Sequence, residues 1–358
     1  ASQGTLSNSV AFPFEDLTWE RTRTYDIGFE MSAWNGLLGV EFDYFYKYTF
    51  NILQSIGGIY PPSLGGHYPA YINDGTFDNR GFELVLRHRN RIGKFSYGVT
   101  GNLTFARNRI LSKQQADNTL PWKNVLGSSL GALWGLKSDG LYQTEEELAN
   151  APKPIGVQPR LGDIKYVDIN GDGAITADDY VRIARSRMPE MMFSLSLDAD
   201  YKGFDLSVQL QGAALCDRML QATWNNGVAD QTPLTVPWYG NYDNAPLYLV
   251  EGAWRPDNTN AEYPRLSVTK SSAGNNAQVS DFWKRNGAYL RLKNVVLGYT
   301  FPKRWMNRIG IDNLRIYFSG NNLLTATEFR WIDPESANVP TGYYPQQRTF
   351  TFGVDLSF

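Results

Sequence analysis

The sequence predicts an all-β protein, a transmembrane antiparallel β-barrel, from three observations. The last ten residues, 349–358, alternate large apolar side chains with small polar ones. About nine segments of the chain share this period of two. The connections between them alternate between short turns and long segments, which is typical of barrels that separate lipid from water. A strand with one apolar and one polar side suits such a wall.

The first four predicted strands are residues 25–31, 38–48, 82–86 and 95–105. In each, most residues at every second position are apolar, and most of the intervening residues are polar or small. The apolar residues are Tyr25, Ile27, Phe29, Met31, Leu38, Val40, Phe42, Tyr44, Tyr46, Tyr48, Phe82, Leu84, Leu86, Phe95, Tyr97, Val99, Leu103 and Phe105.

The remaining predicted strands are residues 193–201, 204–210, 295–301, 314–318 and 349–358. Just before the third of these, Leu290 and Leu292 lie on the opposite phase from Val295 and Leu297. A β-bulge explains this change of phase. A strand that projects beyond the bilayer and is solvated outside explains it equally well, and the sequence leaves both open.

The predicted connections are sorted by length. Short turns lie at 34–36, 88–94, 202–203 and 302–312, and long segments at 51–76, 108–190, 217–288 and 325–348. If the final strand ends at the periplasm, all four long segments are extracellular. Single bacterial chains form barrels with an even number of strands. We therefore expect residues 1–358 to be the carboxy-terminal portion of a larger barrel, although a secreted β-sandwich also has alternating strands.

Composition excludes several classes of protein. The formal net charge of −2 argues against a nucleic-acid partner. No apolar run is long enough for a transmembrane helix. One cysteine, Cys216, excludes an internal disulfide. No signal peptide is visible at the amino terminus. We therefore expect either that a signal peptide has been cleaved or that this chain is the later part of a longer protein.

Residues 168–179 have the spacing of a calcium-binding loop. Oxygen-bearing ligands fall at positions one, three, five, seven (a carbonyl), nine and twelve, and Gly173 occupies the turn at position six. These ligands are Asp168, Asn170, Asp172, the carbonyl of Ala174, Thr176 and Asp179. The loop departs from an EF-hand because position twelve is Asp, and because the segment before it resembles a strand. The segment after it, 177–184, is compatible with a helix.

We predict that this loop binds a structural Ca²⁺ that pins the 108–190 segment, because three carboxylates on one turn repel each other without a cation. An Asx-rich hairpin without metal is the alternative. No nucleophile and base are spaced for catalysis, so no catalytic residue is predicted.

Aromatic residues are frequent in the long segments. Exposed rings stack on sugars or pack against a partner protein, but the same rings also form small cores that hold long loops folded. The candidates for contact with a substrate or partner are Trp122, Trp134, Trp224, Trp238, Tyr239, Tyr242 and Trp254.

Several motifs, in order along the chain, resemble the SusC/RagA-type TonB-dependent outer-membrane transporters. The first contains Gly162-Asp-Ile-Lys-Tyr-Val-Asp-Ile-Asn-Gly-Asp-Gly173, and the second joins Trp254-Arg-Pro-Asp-Asn-Thr259 to Tyr263-Pro-Arg-Leu266. The others are Ala288-Tyr-Leu-Arg-Leu-Lys-Asn-Val-Val-Leu-Gly-Tyr-Thr-Phe-Pro302, Ile316-Tyr-Phe-Ser-Gly-Asn-Asn-Leu-Leu324, Asp333-Pro-Glu335 and the closing residues 349–358.

The resemblance implies a barrel of about 22 strands closed by a plug, of which this chain supplies about the last nine. It also implies import of an oligosaccharide or peptide, with a SusD-type surface lipoprotein as a hinged lid. TonB, with ExbB and ExbD, would act through the plug. A secreted, Ca²⁺-dependent carbohydrate-binding protein or adhesin is the alternative from another functional class.

Overall fold

The computed structural model describes residues 17–55, 63, 71–116, 118–220, 247–266, 274–330, 333–335 and 346–358. Strands dominate these residues. None of the helices in this part of the chain is both long and apolar enough to cross a membrane.

Nine strands form one sheet. They are β1 Arg21–Ala33, β2 Leu38–Ser55, β3 Tyr71–Ile92, β4 Phe95–Ser112, β11 Met191–Tyr201, β12 Phe204–Ala214, β15 Tyr289–Thr300, β16 Asn313–Thr327 and β17 Thr349–Ser357. Their order in the sheet is β1-β2-β3-β4-β11-β12-β15-β16-β17, and every pairing from β4 to β17 is antiparallel. The nine predicted strands are therefore confirmed.

The strands β2 and β3 are longer than predicted. Strand β3 begins at Tyr71 and continues to Ile92, so most of the predicted turn at 88–94 is strand and only Gly93 and Lys94 form the turn. The prediction was too short because it followed the apolar side chains. Backbone pairing continues into residues whose side chains are polar on both faces.

A β-bulge explains the change of phase near Leu292. On the β12 side, Gln209 pairs with Asn294 and Leu210 with Leu292, so Lys293 is the extra residue. The register with β16 shifts at the same place. Because of this extra residue, Leu290 and Leu297 are both exposed on the apolar side. The bulge, rather than a strand solvated outside the bilayer, is the correct interpretation.

One face of the sheet is apolar and exposed. Ile27 is 73% exposed, Leu297 50% and Phe352 70%, although such side chains are costly to leave in water. The other face is polar and its side chains bond across strands. Asn102 donates to Ser194 (2.9 Å), and Asn294 donates to Asn321 (2.7 Å).

Aromatic rings gather on the apolar face where the short connections begin. The ring centroids of Phe204 and Tyr299 are 4.6 Å apart, those of Tyr299 and Phe301 5.0 Å, and those of Phe95 and Tyr201 6.4 Å. We call this group the aromatic belt: Phe95, Tyr97, Tyr201, Phe204, Tyr299 and Phe301. Rings at this level are typical of a membrane–water boundary.

The chain forms two compact units. One contains Ala1–Gly28, Asp43–Phe82 and Ala106–Leu130, and the other contains Phe29–Phe42, Glu83–Phe105 and Gly131–Phe358. In the first unit, the buried carboxylate of Asp78 lies 3.6 Å from the guanidinium group of Arg109 and 3.8 Å from that of Arg80. The long connections of the second unit contain the candidate site.

Those long connections fold into short paired elements. Their bounds are β5 Leu133–Gly135, β6 Ser138–Leu141, β7 Lys153–Pro154, β8 Ile164–Tyr166, β9 Ala174–Ile175, β10 Val181–Ala184, β13 Asp217–Met219 and β14 Lys284–Asn286. The pairs are β5 with β10, β6 with β8, β7 with β9, and β13 with β14. Helices α1 Glu145–Asn150, α2 Leu247–Gly252 and α3 Lys303–Met306 complete the set, the last lying in a short connection.

Candidate functional site

The two long connections 131–190 and 217–288 share one hydrophobic core, and we call their described residues the loop module. The side chains of Ile164, Leu220, Leu249 and Trp283 are fully buried in it. Phe329, from just beyond β16, also belongs to this core. The module is therefore a packed unit rather than a set of separate loops.

Two asparagines join the halves of the module. The Asn276 side chain accepts from the backbone N–H of Ile164 (2.8 Å) and donates to the Asp163 carboxylate (2.9 Å). Asn275 donates to the carbonyl of Ile164 (2.7 Å). Burial raises the pKa of Asp163, and the hydrogen bonds that this carboxylate accepts oppose that rise. The clamp fixes β8 against the chain that precedes β14.

A second contact joins the same two segments at Gly162. This glycine has φ +83°, and a Cβ atom there would overlap the ring of Trp254. Its carbonyl accepts from the backbone N–H of Arg265 (2.8 Å). The Trp254 indole donates to Gln143 (3.1 Å). Two of the motifs that carry the family resemblance are thus one packed contact in space.

The structure separates the candidate aromatic residues. Trp254 is only 6% exposed and belongs to the core, so this ring holds the module together instead of facing a partner. Trp134 is half-buried in β5, and Trp122 is half-buried in a 3₁₀ helix, Pro121–Lys123, of the other unit. Trp224, Trp238, Tyr239 and Tyr242 lie outside the described residues.

The carboxylate loop, 168–179, is closed by its own hydrogen bonds. The Asp168 carboxylate accepts from the backbone N–H groups of Gly171 (2.7 Å) and Gly173 (2.8 Å). These bonds, that of Gly173 first, hold the pKa of Asp168 below its usual range. The buried Asp179 accepts from the backbone of Ile169 and Thr176, both at 2.8 Å.

The segment that follows the loop is not an α-helix. Residues Ala177–Asp179 form one 3₁₀ turn, capped by Thr176, and Val181–Ala184 form β10. The helical expectation was wrong because pairing with β5 draws this segment into a strand, where Val181 faces Gly135. The strand expected before the loop is confirmed as β8.

The ligand chemistry of the loop suits Ca²⁺, but its carboxylates form hydrogen bonds within the loop instead of converging on one point. Asn170 and Asp172 bond to each other (2.9 Å), in addition to the bonds of Asp168 and Asp179. Among the described residues, no three His, Cys, Asp or Glu side chains are gathered as metal ligands. The observed conformation fits a self-bonded Asx turn, and Ca²⁺ binding stays a prediction.

A buried arginine on the polar face of the sheet was missed by the sequence reasoning. Arg291 of β15 is 1% exposed and forms ion pairs with Asp333 (2.6 Å) and Glu335. It also donates to Thr325 (3.0 Å) and Gln346 (2.6 Å). In the sequence, Arg291 and the segment Asp333–Glu335 belong to separate family motifs, and no local pattern shows that they pair.

The segment 333–335 is held from several strands. Glu335 accepts from Tyr289 of β15 (2.8 Å) and from Gln211 of β12 (3.2 Å). Arg218 of β13 donates to the Pro334 carbonyl (2.7 Å). This segment of the last long connection therefore lies against the polar face and against the foot of the loop module.

An apolar exposed sheet face, an aromatic belt at one end and a packed loop module at the other define a membrane β-barrel that presents a folded surface outside the bilayer. The chain belongs to the family of TonB dependent receptor-like β-barrels, whose model matches residues 2–323. Members of this family lie in the outer membrane, and so does this protein.

Two curated relatives carry receptor names. TonB-dependent receptor P26 of Formosa agariphila is 31% identical over 373 residues, which cover 96% of this chain and 35% of the relative. TonB-dependent receptor SusC of Bacteroides thetaiotaomicron is 24% identical, over 96% of this chain and 32% of the relative. The chain thus spans about a third of the length of these relatives.

Solved structures of the RagAB peptide importer share the fold. In its open-open state the TM-score is 0.67 at 22% identity, and the match covers 96% of this chain and 35% of the solved chain. This likeness, with the family match, confirms the prediction that the sheet is part of a TonB-dependent barrel.

Proposed function

We propose that the complete protein imports a nutrient across the outer membrane, as the barrel of a two-protein complex with a SusD-type surface lipoprotein. The observation that carries this proposal is the loop module. It is a packed platform at the end of the membrane sheet that has the long connections. A surface fixed in this way can hold a partner protein or a substrate in a defined position.

The proposal includes an orientation. Short connections are periplasmic in outer-membrane barrels, so the segments 108–190 and 217–288 are extracellular. The loop module then faces the medium from which the nutrient and the lipoprotein lid approach. The half-buried rings of Trp122 and Trp134 keep part of their surface available for contact.

The proposed substrate is an oligosaccharide or a peptide. The resemblance to SusC/RagA-type transporters implies either class, and the likeness of fold to the RagAB peptide importer supports a peptide. Import of either needs no covalent step. TonB, with ExbB and ExbD, would drive it by moving a plug within the complete barrel.

A secreted, Ca²⁺-dependent carbohydrate-binding protein or adhesin is a poorer account. Its sheet would have to remain in water with Ile27, Phe350 and Phe352 more than half exposed. A continuous apolar surface of this kind calls for lipid or a partner.

The proposal is tested by purifying the complete protein from outer membranes in mild detergent and identifying by mass spectrometry what accompanies it. We expect a stoichiometric surface lipoprotein, and uptake of a glycan or peptide that requires TonB. Recovery of the protein alone, with uptake unchanged in a strain lacking TonB, would overturn it.

A further inference from the structure

The short connections carry a group of exposed cations. We call this group the basic rim: Lys94 between β3 and β4, Lys202 between β11 and β12, and Lys303, Arg304 and Arg308 between β15 and β16. In the part of the chain that the structure describes, none of them forms an ion pair with a carboxylate. Five cations without acidic partners among the described residues therefore share one end of the sheet.

The residues of the basic rim are next to those of the aromatic belt along the chain. Lys94 precedes Phe95, and Lys202 lies between Tyr201 and Phe204. The Lys202 ammonium lies 5.0 Å from the centre of the Tyr201 ring. The belt marks the level at which hydrocarbon gives way to head groups, so the rim lies at head-group level.

The connection between β15 and β16 has the strongest interfacial character. Helix α3 and the 3₁₀ turn Asn307–Ile309 that follows are anchored by Met306, which is 7% exposed. Trp305 is 54% exposed and Ile309 64%. An indole ring and an aliphatic side chain among cations are poorly placed in water. Both are well placed at a lipid interface, where the apolar part is buried and the charge stays hydrated.

We propose that the basic rim binds the phosphate of anionic phospholipid head groups in the membrane leaflet on its side. That this leaflet is the periplasmic one rests on the orientation proposed above. Ammonium and guanidinium groups are the side chains that recognise phosphate, and clustered cations beside a membrane gain from its negative surface. Trp305, Ile309 and the aromatic belt hold these cations at the depth of the phosphates.

The test compares lipid binding by the complete, purified protein and by the variant Lys303→Gln/Arg304→Gln/Arg308→Gln, using native mass spectrometry. The probes are phosphatidylglycerol, which has a net negative charge, and phosphatidylcholine, which has none. We expect the variant to lose roughly tenfold or more in affinity for phosphatidylglycerol. Its binding of phosphatidylcholine should change little.

The matched control is Arg182→Gln/Arg185→Gln/Lys284→Gln, which removes the same charge from exposed positions of the loop module. We expect this control to bind phosphatidylglycerol like the unmodified protein. Equal losses of phosphatidylglycerol affinity in both variants would show that the effect comes from net charge alone, and would overturn the proposed site. The proposal would also be overturned if the unmodified protein bound the two lipids equally. This comparison can be made even if the rim variant does not assemble.

The leaflet and the proposed import are tested separately. A Trp305→Cys variant should react with a membrane-impermeant maleimide only after the outer membrane is permeabilised. Labelling in intact cells would place the rim at the cell surface and overturn the leaflet assignment.

Import by the rim variant should be normal, because the rim takes no part in substrate capture. Absence of import by the unmodified protein would refute the proposed function and leave the lipid result standing.

Discussion

At the level of single residues, the space around a glycine decides what a substitution does. Gly162→Ala places a Cβ atom in the Trp254 ring, at a φ that alanine rarely adopts. We expect it to destabilise the loop module by about 2–4 kcal/mol, from backbone strain and overpacking together. The measurement is the rate of trypsin cleavage within 131–190 in the assembled protein.

Gly140→Ala is the matched control for backbone strain. Gly140 has φ +80°, and nothing lies within 4 Å of its added Cβ atom. We expect it to cost about 1 kcal/mol, from strain alone. If both variants are cleaved at the same rate, the contact between Gly162 and Trp254 does not hold the module.

The carboxylate loop makes a second prediction about individual side chains. If it binds Ca²⁺, a chelator should raise the protease sensitivity of 108–190, and Asp168→Ala/Asp172→Ala should remove the difference. If chelation changes nothing, the carboxylates only form hydrogen bonds within the loop.

The depressed pKa of Asp168 gives a further check. Its stabilising effect exists above the unfolded pKa of about 3.9 and is lost as the pH falls through the lower, folded value.

At the level of secondary-structure elements, Arg291 connects strand β15 to the last long connection. Arg291→Met leaves Asp333 and Glu335 without their cation, at side-chain exposures of only 13% and 24%. We expect a loss of stability of about 3 kcal/mol, because breaking a buried ion pair strands its partners. The measurement is the temperature at which the folded barrel loses its characteristic mobility on a gel.

Arg87→Met gives the comparison, because Arg87 pairs with Glu41 on the same polar face but its side chain is 44% exposed. Water screens this pair and hydrates Glu41 when the cation is removed, so little change in unfolding temperature is expected. A similar loss in both variants would show that burial does not distinguish Arg291.

Across the molecule as a whole, the environment on each side of the sheet decides how a charge is tolerated. Phe352→Arg puts a cation on the apolar face near the middle of β17, where the cost in a bilayer is about 2–4 kcal/mol. Thr351→Arg places the same group on the polar face. We expect only the first to lower the folded fraction on refolding into lipid. Equal effects would contradict the assignment of the faces.

The strands and their faces were predictable because a period of two is a local property. Tyr25 to Met31 and Phe350 to Phe358 show their apolar side whatever lies next to them. The ends of β3 were not predictable, since beyond the apolar band only its pairing partner keeps it extended. The bulge at Lys293 was one of two open explanations, and the register with β12 decided between them.

Local patterns were enough to establish an all-β membrane sheet of nine strands with its short and long connections, because side-chain polarity along a strand records which solvent each face meets. The folded chain was needed to show that the long connections share a core, that Trp254 is buried in it, and that Arg291 meets Asp333. These contacts join residues more than 40 positions apart, and Asn276 and Asp163 are separated by 113. The sequence shows that buried polar and charged side chains need hydrogen-bond or ion-pair partners. Only the path of the folded chain decides which residues become those partners.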